Sequence, residues 1–225
     1  MVDVMNIVII LFIILYVSLL ISYFFSETSG NLKRRSINKI ILASMFLAFG
    51  IIQYILNYNF FSYHLILLLA IIFAYIGDVV LLYSFIKGGL AFIISNIFFF
   101  IYEWMIIGFN KVPFSSIWYF IPLFIFMWGT FACLTLKRFL NFKKKTIPIL
   151  IYVFSVTLQG TLGLLLAIYF ANLKMILLGI GLTLFMISDY FLMTHKFKCH
   201  KNWILRCNSG TYFIGLLLVV LSLMY

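Results

Sequence analysis

Two aspartates stand inside long apolar runs of this 225-residue chain, and each belongs to a similar phrase. The phrase around Asp78 is GDVVL and the phrase around Asp189 is SDYFL. The chain has only five acidic residues, and an ionised acid at the centre of a membrane helix costs about 2.5–3.5 kcal/mol. Acids kept in so costly a setting are candidates for a functional role.

Two carboxylates close together in an apolar setting would share one proton, giving one acid and one base at neutral pH. Such a pair suits cleavage of an acetal-like or vinyl ether bond through an oxocarbenium ion. The acid donates a proton, the ionised partner stabilises the positive charge, and water then attacks. The same pair suits proton-coupled transport. A third interpretation gives the aspartates no chemistry, only hydrogen bonds to Ser or Tyr hydroxyls that join helices.

Other intramembrane chemistries lack their signatures in this sequence. No histidine lies in the interior of a predicted span, which argues against a serine–histidine protease. No H-E-x-x-H motif or glycine-rich phosphate loop occurs, and the clustered aspartates of magnesium-dependent phosphatidyl transfer are missing. His195, Cys199, His200 and Cys207 fall in one loop, but their spacing matches no usual zinc pattern. We therefore expect no metal and no organic cofactor.

The elements that must position the aspartates are membrane-spanning helices. Hydrophobic residues make up 66% of the chain, charged residues 9%, and the mean hydropathy is +1.21. Apolar runs of about 18 residues or more predict transmembrane helices. The fold expected is an all-α, polytopic bundle forming one domain over residues 1–225. The first run has no basic segment before it, so we interpret it as a span and not as a cleavable signal. The eight predicted spans cover 6–25, 38–57, 64–85, 90–108, 116–136, 147–170, 175–194 and 208–225.

The net charge of +11 would suit a nucleic-acid partner, but its distribution does not. Fourteen of the sixteen Lys and Arg residues fall in alternate loops, and only Lys111 and Lys174 fall in the others. This is the positive-inside pattern, so both termini should face outward and no nucleic-acid partner is expected. We interpret the loop cations as setting topology. The alternative is that Lys87 or Lys196 holds a substrate phosphate.

The topology predicts where the two aspartates lie. They are 111 residues and four spans apart, so their helices run in the same direction, as in a 4+4 parallel internal repeat. Asp78 is about seven residues from the inner end of its predicted span and Asp189 about five. At ~1.5 Å per residue, both lie roughly 7–11 Å below the inner edge of the apolar layer. They can meet if spans three and seven are neighbours.

Span four carries two more polar residues on one face, Asn96 and Glu103, which are seven positions apart. We interpret Glu103 as an acid reaching the outer interface; the alternative is a partner of the aspartates. Spans six and seven carry glycines that should permit close helix approach, namely Gly160, Gly163, Gly179 and Gly181.

Together these features resemble the YhhN family of membrane proteins. The resemblance covers span two to the end of the chain, and its specific core is the two Asp phrases and their spacing. Members of known activity are lysoplasmalogenases, which hydrolyse the vinyl ether bond of lysoplasmalogens to a fatty aldehyde and a glycerophospho-base. The supporting positions are Gly77-Asp78, Leu81, Gly88-Gly89, Phe92, Pro148, Tyr152, Ser188-Asp189, Phe197 and Tyr212.

The resemblance implies that Asp78 and Asp189 are the catalytic pair. It also implies a lysophospholipid-type substrate, contact with membrane lipid, and location in a bacterial plasma membrane as a multi-pass protein. The headgroup, the chain preference and the oligomeric state stay open. The predicted substrate-binding residues are Asn96, Ser188, Gly77, Tyr75 and Lys87.

The chain departs from the family pattern at three places. Asn96 stands where members often have His, Phe99 where they have Tyr, and Leu216 where they have Gln. An asparagine can hydrogen-bond a substrate but cannot relay a proton. Two alternatives to the hydrolase therefore stay open: a small proton-coupled transporter, and an inactive lipid-binding membrane protein.

Overall fold

The fold is a bundle of helices joined by short turns. The computed structural model describes residues 2–29, 31–59, 62–136, 146–198 and 200–225, and none of these residues forms a β-strand. Eight helical segments are long and apolar enough to cross a membrane, which confirms the all-α, eight-span prediction. The helices are α1 (Val2–Glu27), α2 (Leu32–Asn57), α3 (His64–Leu81), α4 (Phe85–Phe109), α5 (Phe114–Ile117), α6 (Phe120–Leu136), α7 (Thr146–Phe170), α8 (Leu173–Phe197) and α9 (Asn202–Leu221), with a final 3₁₀ turn at Ser222–Met224.

Helix α2 begins six residues before the predicted second span. Asn31 caps it, because its side-chain oxygen accepts a hydrogen bond from the backbone N–H of Arg34 at 3.0 Å. The first turns of α2 therefore contain Arg35 and Lys39, which the sequence analysis assigned to a loop. This shift brings two cations to the end of the bundle where the aspartates lie.

The junction of α3 and α4 also differs from expectation. Helix α3 ends at Leu81, four residues early, and Ser84 caps α4 by accepting from the backbone N–H of Lys87 at 3.4 Å. Lys87 and Gly88 thus lie in the first turn of α4 and not in the connecting turn. A Cβ at Gly88 would lie 2.8 Å from the Cα of Leu81, so glycine lets the two helices meet closely there.

Other boundaries shift in the same way. The fifth predicted span is divided between α5 and α6, and α9 begins at Asn202, six residues before the predicted last span. Helix α8 continues to Phe197, so His195 lies in its last turn. Helix caps and turns set these ends, and hydropathy alone does not reveal them.

The interior of the bundle is formed where α3 packs on α4, α4 on α7, α7 on α8 and α8 on α9. Helix α2 packs on α3 and α9, α1 on α2 and α9, and α6 on α7. The glycines of α7 and α8 do lie at close contacts: a Cβ at Gly181 would be 2.7 Å from the carbonyl oxygen of Gly215. Helices α3 and α8 thus face one central region from different sides.

Candidate active site

The two predicted aspartates line one cavity near the end of the bundle where α3 and α8 end. We call it the acid cavity. Asp78 is 2% exposed and Asp189 3% exposed, and the cavity has an empty volume of about 460 Å³. The tertiary structure therefore brings the pair to one cavity, an arrangement that the topology allowed. The cavity is lined by Tyr23, Glu27, Arg35, Lys39, Asp78, Leu81, Phe92, Asp189, Leu192, Leu205, Asn208, Ser209, Tyr212 and Phe213.

Asp78 has both a cation and a hydroxyl as partners. The ammonium of Lys39 on α2 is 2.9 Å from its Oδ1, with the lysine side chain 12% exposed. The hydroxyl of Tyr212 on α9 donates to its Oδ2 at 2.6 Å. Hydrogen bonds of this kind to a charged acceptor are short and about twice as strong as neutral ones. Lys39 and Tyr212 therefore stabilise Asp78 in its ionised form.

Asp189 has a hydroxyl partner but forms no ion pair with the described residues. The hydroxyl of Tyr152 on α7 donates to its Oδ2 at 2.6 Å. An ionised carboxylate buried without a cation is costly. The neutral, protonated form is therefore favoured for Asp189, with its second oxygen available to carry the proton.

Aromatic rings pack beside Asp78 at the wall of the acid cavity. The ring of Phe92 lies 2.9 Å from where a Cβ at Gly77 would be, so the residue preceding Asp78 must be glycine for this ring to fit. Tyr212 packs edge-on against Phe92 and Phe185, with ring centroids 6.0 and 5.3 Å apart. This packing fixes the ring whose hydroxyl binds Asp78.

A second opening, the apolar groove, lies between α4, α7 and α8 beside Tyr152. Its empty volume is about 610 Å³. Apolar side chains form nearly all of its walls, so it suits a hydrocarbon chain. It is lined by Leu81, Phe85, Ile86, Gly89, Leu90, Phe92, Ile93, Pro148, Ile149, Tyr152, Leu192 and Met193.

A third opening, the basic vestibule, has an empty volume of about 1220 Å³ and carries five basic side chains. The Nζ of Lys196 lies 3.5 Å from the ring centroid of Phe85, and the rings of His195 and His200 are 5.7 Å apart. The vestibule is lined by Leu32, Arg35, Ser36, Lys39, Leu81, Leu82, Phe85, Leu192, His195, Lys196, His200 and Leu205.

The leucine of each repeated phrase marks the point where these openings meet. Leu81 and Leu192 line the acid cavity, the apolar groove and the basic vestibule alike. Each stands three residues after its aspartate, which places both side chains on one face of their helix. The shared spacing thus places a carboxylate and an apolar wall together in each half of the site.

None of the five predicted substrate-binding residues lines the acid cavity, the apolar groove or the basic vestibule. Gly77 lies nearest, under the ring of Phe92, which lines the acid cavity. The other four have different surroundings. Ser188 is buried and donates to the carbonyl of Phe185 at 2.8 Å, and Lys87 is exposed at the start of α4. Tyr75 is half-buried, 3.5 Å from the hydroxyl of Ser44, and Asn96 donates to Ser155 on α7 at 3.1 Å.

Glu103 occupies a different environment from the one expected. It is fully buried, so the interpretation as an acid reaching the interface is wrong. A Cβ at Gly163 would lie 2.7 Å from its Oε1, which places Glu103 in the contact between α4 and α7. Neither carboxyl oxygen has a hydrogen-bond partner among the described residues, and the same holds for the side-chain amide of Gln159.

The histidines and cysteines do not assemble a metal site within the described part of the chain, where no group of three candidate ligands is found. His195 and His200 are close, and Cys207 is a free thiol. Cys199 lies outside the described residues. The possible zinc site was given little weight because of its spacing, and nothing in the described geometry favours it.

Two site residues escaped the sequence analysis. Lys39 was interpreted as one of the cations that set topology, and the structure gives it a further part, because its ammonium is the ion partner of Asp78. Glu27 received no role, yet it lines the acid cavity. A signal did exist for Glu27: it is one of only five acids and falls at the end of an apolar run. Lys39 lies too close to other basic residues to be distinguished by sequence.

Fold and site together define a class: a polytopic helical membrane protein with a buried carboxylate pair, placed where an apolar groove meets a basic opening. The family model named YhhN family matches residues 34–223, so this chain belongs to the YhhN family. The match covers α2 to the 3₁₀ turn and includes both aspartates and their partners Lys39, Tyr152 and Tyr212. Neither the curated proteins nor the solved structures gave a match.

Proposed function

We propose that this chain is a lysoplasmalogenase-type hydrolase that cleaves the vinyl ether bond of a lysophospholipid within the membrane. The observation that carries the proposal is the unequal pair of carboxylates at the meeting point of the apolar groove and the basic vestibule. Membership of the YhhN family supports it. The alkenyl chain would lie in the apolar groove and the headgroup at the basic end, with the vinyl ether between Asp78 and Asp189.

Asp189 acts as the acid because it has a hydroxyl partner and no ion pair among the described residues. It transfers its proton to the carbon of the double bond farther from the ether oxygen, leaving an oxocarbenium ion. Asp78 stays ionised beside Lys39 and stabilises this cation. General acid catalysis of this kind contributes about 10²–10⁴-fold to a rate.

Water completes the reaction. It attacks the cationic carbon and gives its proton to Asp78 or to the now ionised Asp189, forming a hemiacetal. The hemiacetal then breaks its bond to the glycerol oxygen, which takes up a proton, and the carbon becomes a fatty aldehyde. The overall change adds one water and releases one aldehyde and one glycerophospho-base, with both carboxyl groups restored.

The proposed location is a bacterial plasma membrane, with the basic end of the bundle in the cytoplasm. The positive-inside pattern of the loops supports this orientation. The substrate would then enter from the cytoplasmic leaflet, along the apolar groove.

The test is release of fatty aldehyde from lysoplasmenylethanolamine by the purified protein. A lysophospholipid with a saturated alkyl ether, which has no double bond to protonate, is the matched substrate control. Asp189→Asn is the matched protein control, since the amide keeps the shape but cannot donate the proton. Aldehyde release that requires both the double bond and Asp189 supports the proposal. Substrate that stays intact, with Asp78-dependent solute uptake in proteoliposomes, would favour the transport alternative.

A further inference from the structure

Glu27 is a buried acid at the acid cavity that the proposed hydrolysis does not use. It is 7% exposed, stands at the end of α1 and lies outside the segment matched by the family model. All of its partners meet one oxygen: Oε1 accepts from Ser209 at 2.6 Å and from Tyr23 at 3.0 Å. The guanidinium of Arg35 lies 3.7 Å from that same Oε1.

The other oxygen, Oε2, has no hydrogen-bond partner among the described residues. A buried carboxylate oxygen without a donor is costly, because it has lost its contact with water and gained no hydrogen bond in return. Because Glu27 lines the acid cavity, a ligand there can supply the missing donor. The donor that Oε2 lacks is an N–H or O–H group, and a cationic group would form the stronger hydrogen bond.

Glu27 and Asp78 are paired with cations on successive turns of α2. Arg35 and Lys39 are four residues apart on α2, which is about 6 Å along the axis. Arg35 lies beside Glu27 and Lys39 beside Asp78. The cation beside Glu27 is therefore the one nearer the start of α2, where Leu32 and Ser36 line the basic vestibule.

The charges around this place suit a zwitterion. The basic vestibule supplies the cations Arg35 and Lys196 on one side, which would attract a phosphate, and the rings of His195 and His200 there can donate hydrogen bonds to it. Glu27, beside Arg35, supplies a carboxylate on the other side. In a headgroup whose phosphate and ammonium are joined by two carbons, the phosphate would lie beside the basic vestibule and the ammonium beside Glu27.

We propose that Glu27 is a headgroup-selecting residue, and that the acid cavity takes a lysophospholipid whose ethanolamine ammonium donates to Oε2 of Glu27. This inference rests on the proposed function for the substrate class and deepens it by naming the headgroup. A primary ammonium has three N–H donors for Oε2. Choline has none, because three methyl groups replace them, so it leaves the oxygen unsatisfied.

The experiment measures binding and does not depend on cleavage. Purified protein in nanodiscs is titrated with four lysophospholipids of one saturated acyl chain: ethanolamine, N-methyl, N,N-dimethyl and choline headgroups. The N–H count falls from three to none along this series. We expect affinity to change little down to the N,N-dimethyl headgroup, which keeps one N–H for Oε2, and to fall by about tenfold with choline, which loses that hydrogen bond to a charged group. Equal wild-type affinity for all four lipids would overturn the inference.

Glu27→Gln is the matched variant, because it keeps the shape and removes the charge. We expect its affinities for the four lipids to lie within twofold of one another. Glu103→Gln, an equally conservative change at a buried acid on the α4–α7 contact, should keep the wild-type series. Retention of the full wild-type series by Glu27→Gln would overturn the role of Glu27. If Glu27→Gln cannot be purified folded, the wild-type methylation series still decides the ammonium preference.

A second variant separates the two charges of the headgroup. His195→Ala with His200→Ala should weaken all four lipids by a similar factor and leave their relative affinities unchanged. A flattened series in this variant would place the ammonium in the basic vestibule and contradict the assignment to Glu27. Failure of aldehyde release with the binding series intact would remove the hydrolase proposal but not this site. Aldehyde release together with equal binding of all four lipids would remove the Glu27 site but not the hydrolase proposal.

Discussion

The surroundings of Asp78 and Asp189 differ more than their shared phrases suggest. Asp78 on α3 receives Lys39 from α2 and Tyr212 from α9. Asp189 on α8 receives Tyr152 from α7, with no ion pair from the described residues. Each aspartate receives one partner from the helix that precedes its own in the chain. Lys39 stands 39 residues before Asp78, and Tyr152 stands 37 residues before Asp189. The partner types differ: those of Asp78 favour its ionised form, and Asp189 lacks a cation that would do the same among the described residues.

This difference shows how a near-symmetric arrangement can separate an acid from a base. Two carboxylates with the same neighbours would compete for one proton. A single cation on one side decides the competition, since it stabilises the charged form only where it lies. The repeat itself stays a prediction, although Phe85 and Phe197, which follow the two phrases, do pack edge-on with centroids 6.0 Å apart.

The largest expected effect is the loss of either carboxylate. Asp78→Asn and Asp189→Asn should each lower the rate of aldehyde release by about 10²–10⁴-fold, because one removes the charge that stabilises the cation and the other removes the proton donor. Single-turnover assays on lysoplasmenylethanolamine measure this. Full activity in either variant would contradict the catalytic assignment.

The same two variants should differ in stability. Asp78→Asn leaves the Lys39 ammonium buried without its counter-ion, and breaking a buried pair costs about 3–5 kcal/mol. Asp189→Asn leaves no ion behind. Thermal unfolding in detergent should therefore show a clear drop for Asp78→Asn only. The double variant Asp78→Asn with Lys39→Met should regain much of the loss in stability while staying inactive. Equal unfolding temperatures for the two single variants would contradict the unequal pair.

Loss of the cation alone tests what sets the two roles apart. Lys39→Met should lower the rate by at least about tenfold, because an ionised Asp78 then lacks the partner that stabilises its charge. Lys39→Arg keeps a cation and should recover part of the rate. The measurement is the rate of aldehyde release at saturating substrate. Lys33 on the same helix is exposed, so Lys33→Met is the matched control and should retain wild-type activity.

Removing the hydroxyl of Tyr212 should slow the reaction more than removing that of Tyr152. Hydrogen bonds to charged groups contribute about 1.5–3 kcal/mol and neutral ones about 0.5–1.5 kcal/mol. Tyr212→Phe, which removes a bond to ionised Asp78, should therefore slow the reaction by about 10–100-fold. Tyr152→Phe, at the neutral acid, should slow it by less than about tenfold. The rate constants of both variants decide the order, and a reversed order would exchange the roles of the aspartates.

The smallest effects are expected away from the acid cavity. Lys87 is exposed on α4, so Lys87→Ala should change neither the rate nor the KM by more than about twofold. A large rise in KM would support the original hypothesis that Lys87 holds a substrate phosphate. The same assay serves for this variant, with initial rates over a range of substrate concentrations.

Much of the site could be predicted because membrane insertion makes polar residues costly. Asp78 and Asp189 were recognisable as functional candidates from their apolar surroundings alone. The groups that contact these aspartates could not be recognised in the same way. Lys39 lies among other basic residues in the sequence, and only the packing of α2 on α3 shows that its ammonium meets Asp78. Glu103 carries the same cost signal as the aspartates, yet it lies in a helix contact and not in the acid cavity.

The sequence by itself determined the class of fold, the number of spans and the two carboxylates, because the length of an apolar run and the cost of a buried charge are local properties. The tertiary structure decided which groups meet those carboxylates, which openings join at Leu81 and Leu192, and that Glu27 faces the same cavity. These depend on how helices far apart in the chain pack against one another. The difference between Asp78 and Asp189 therefore belongs to the fold, since their sequence phrases are alike.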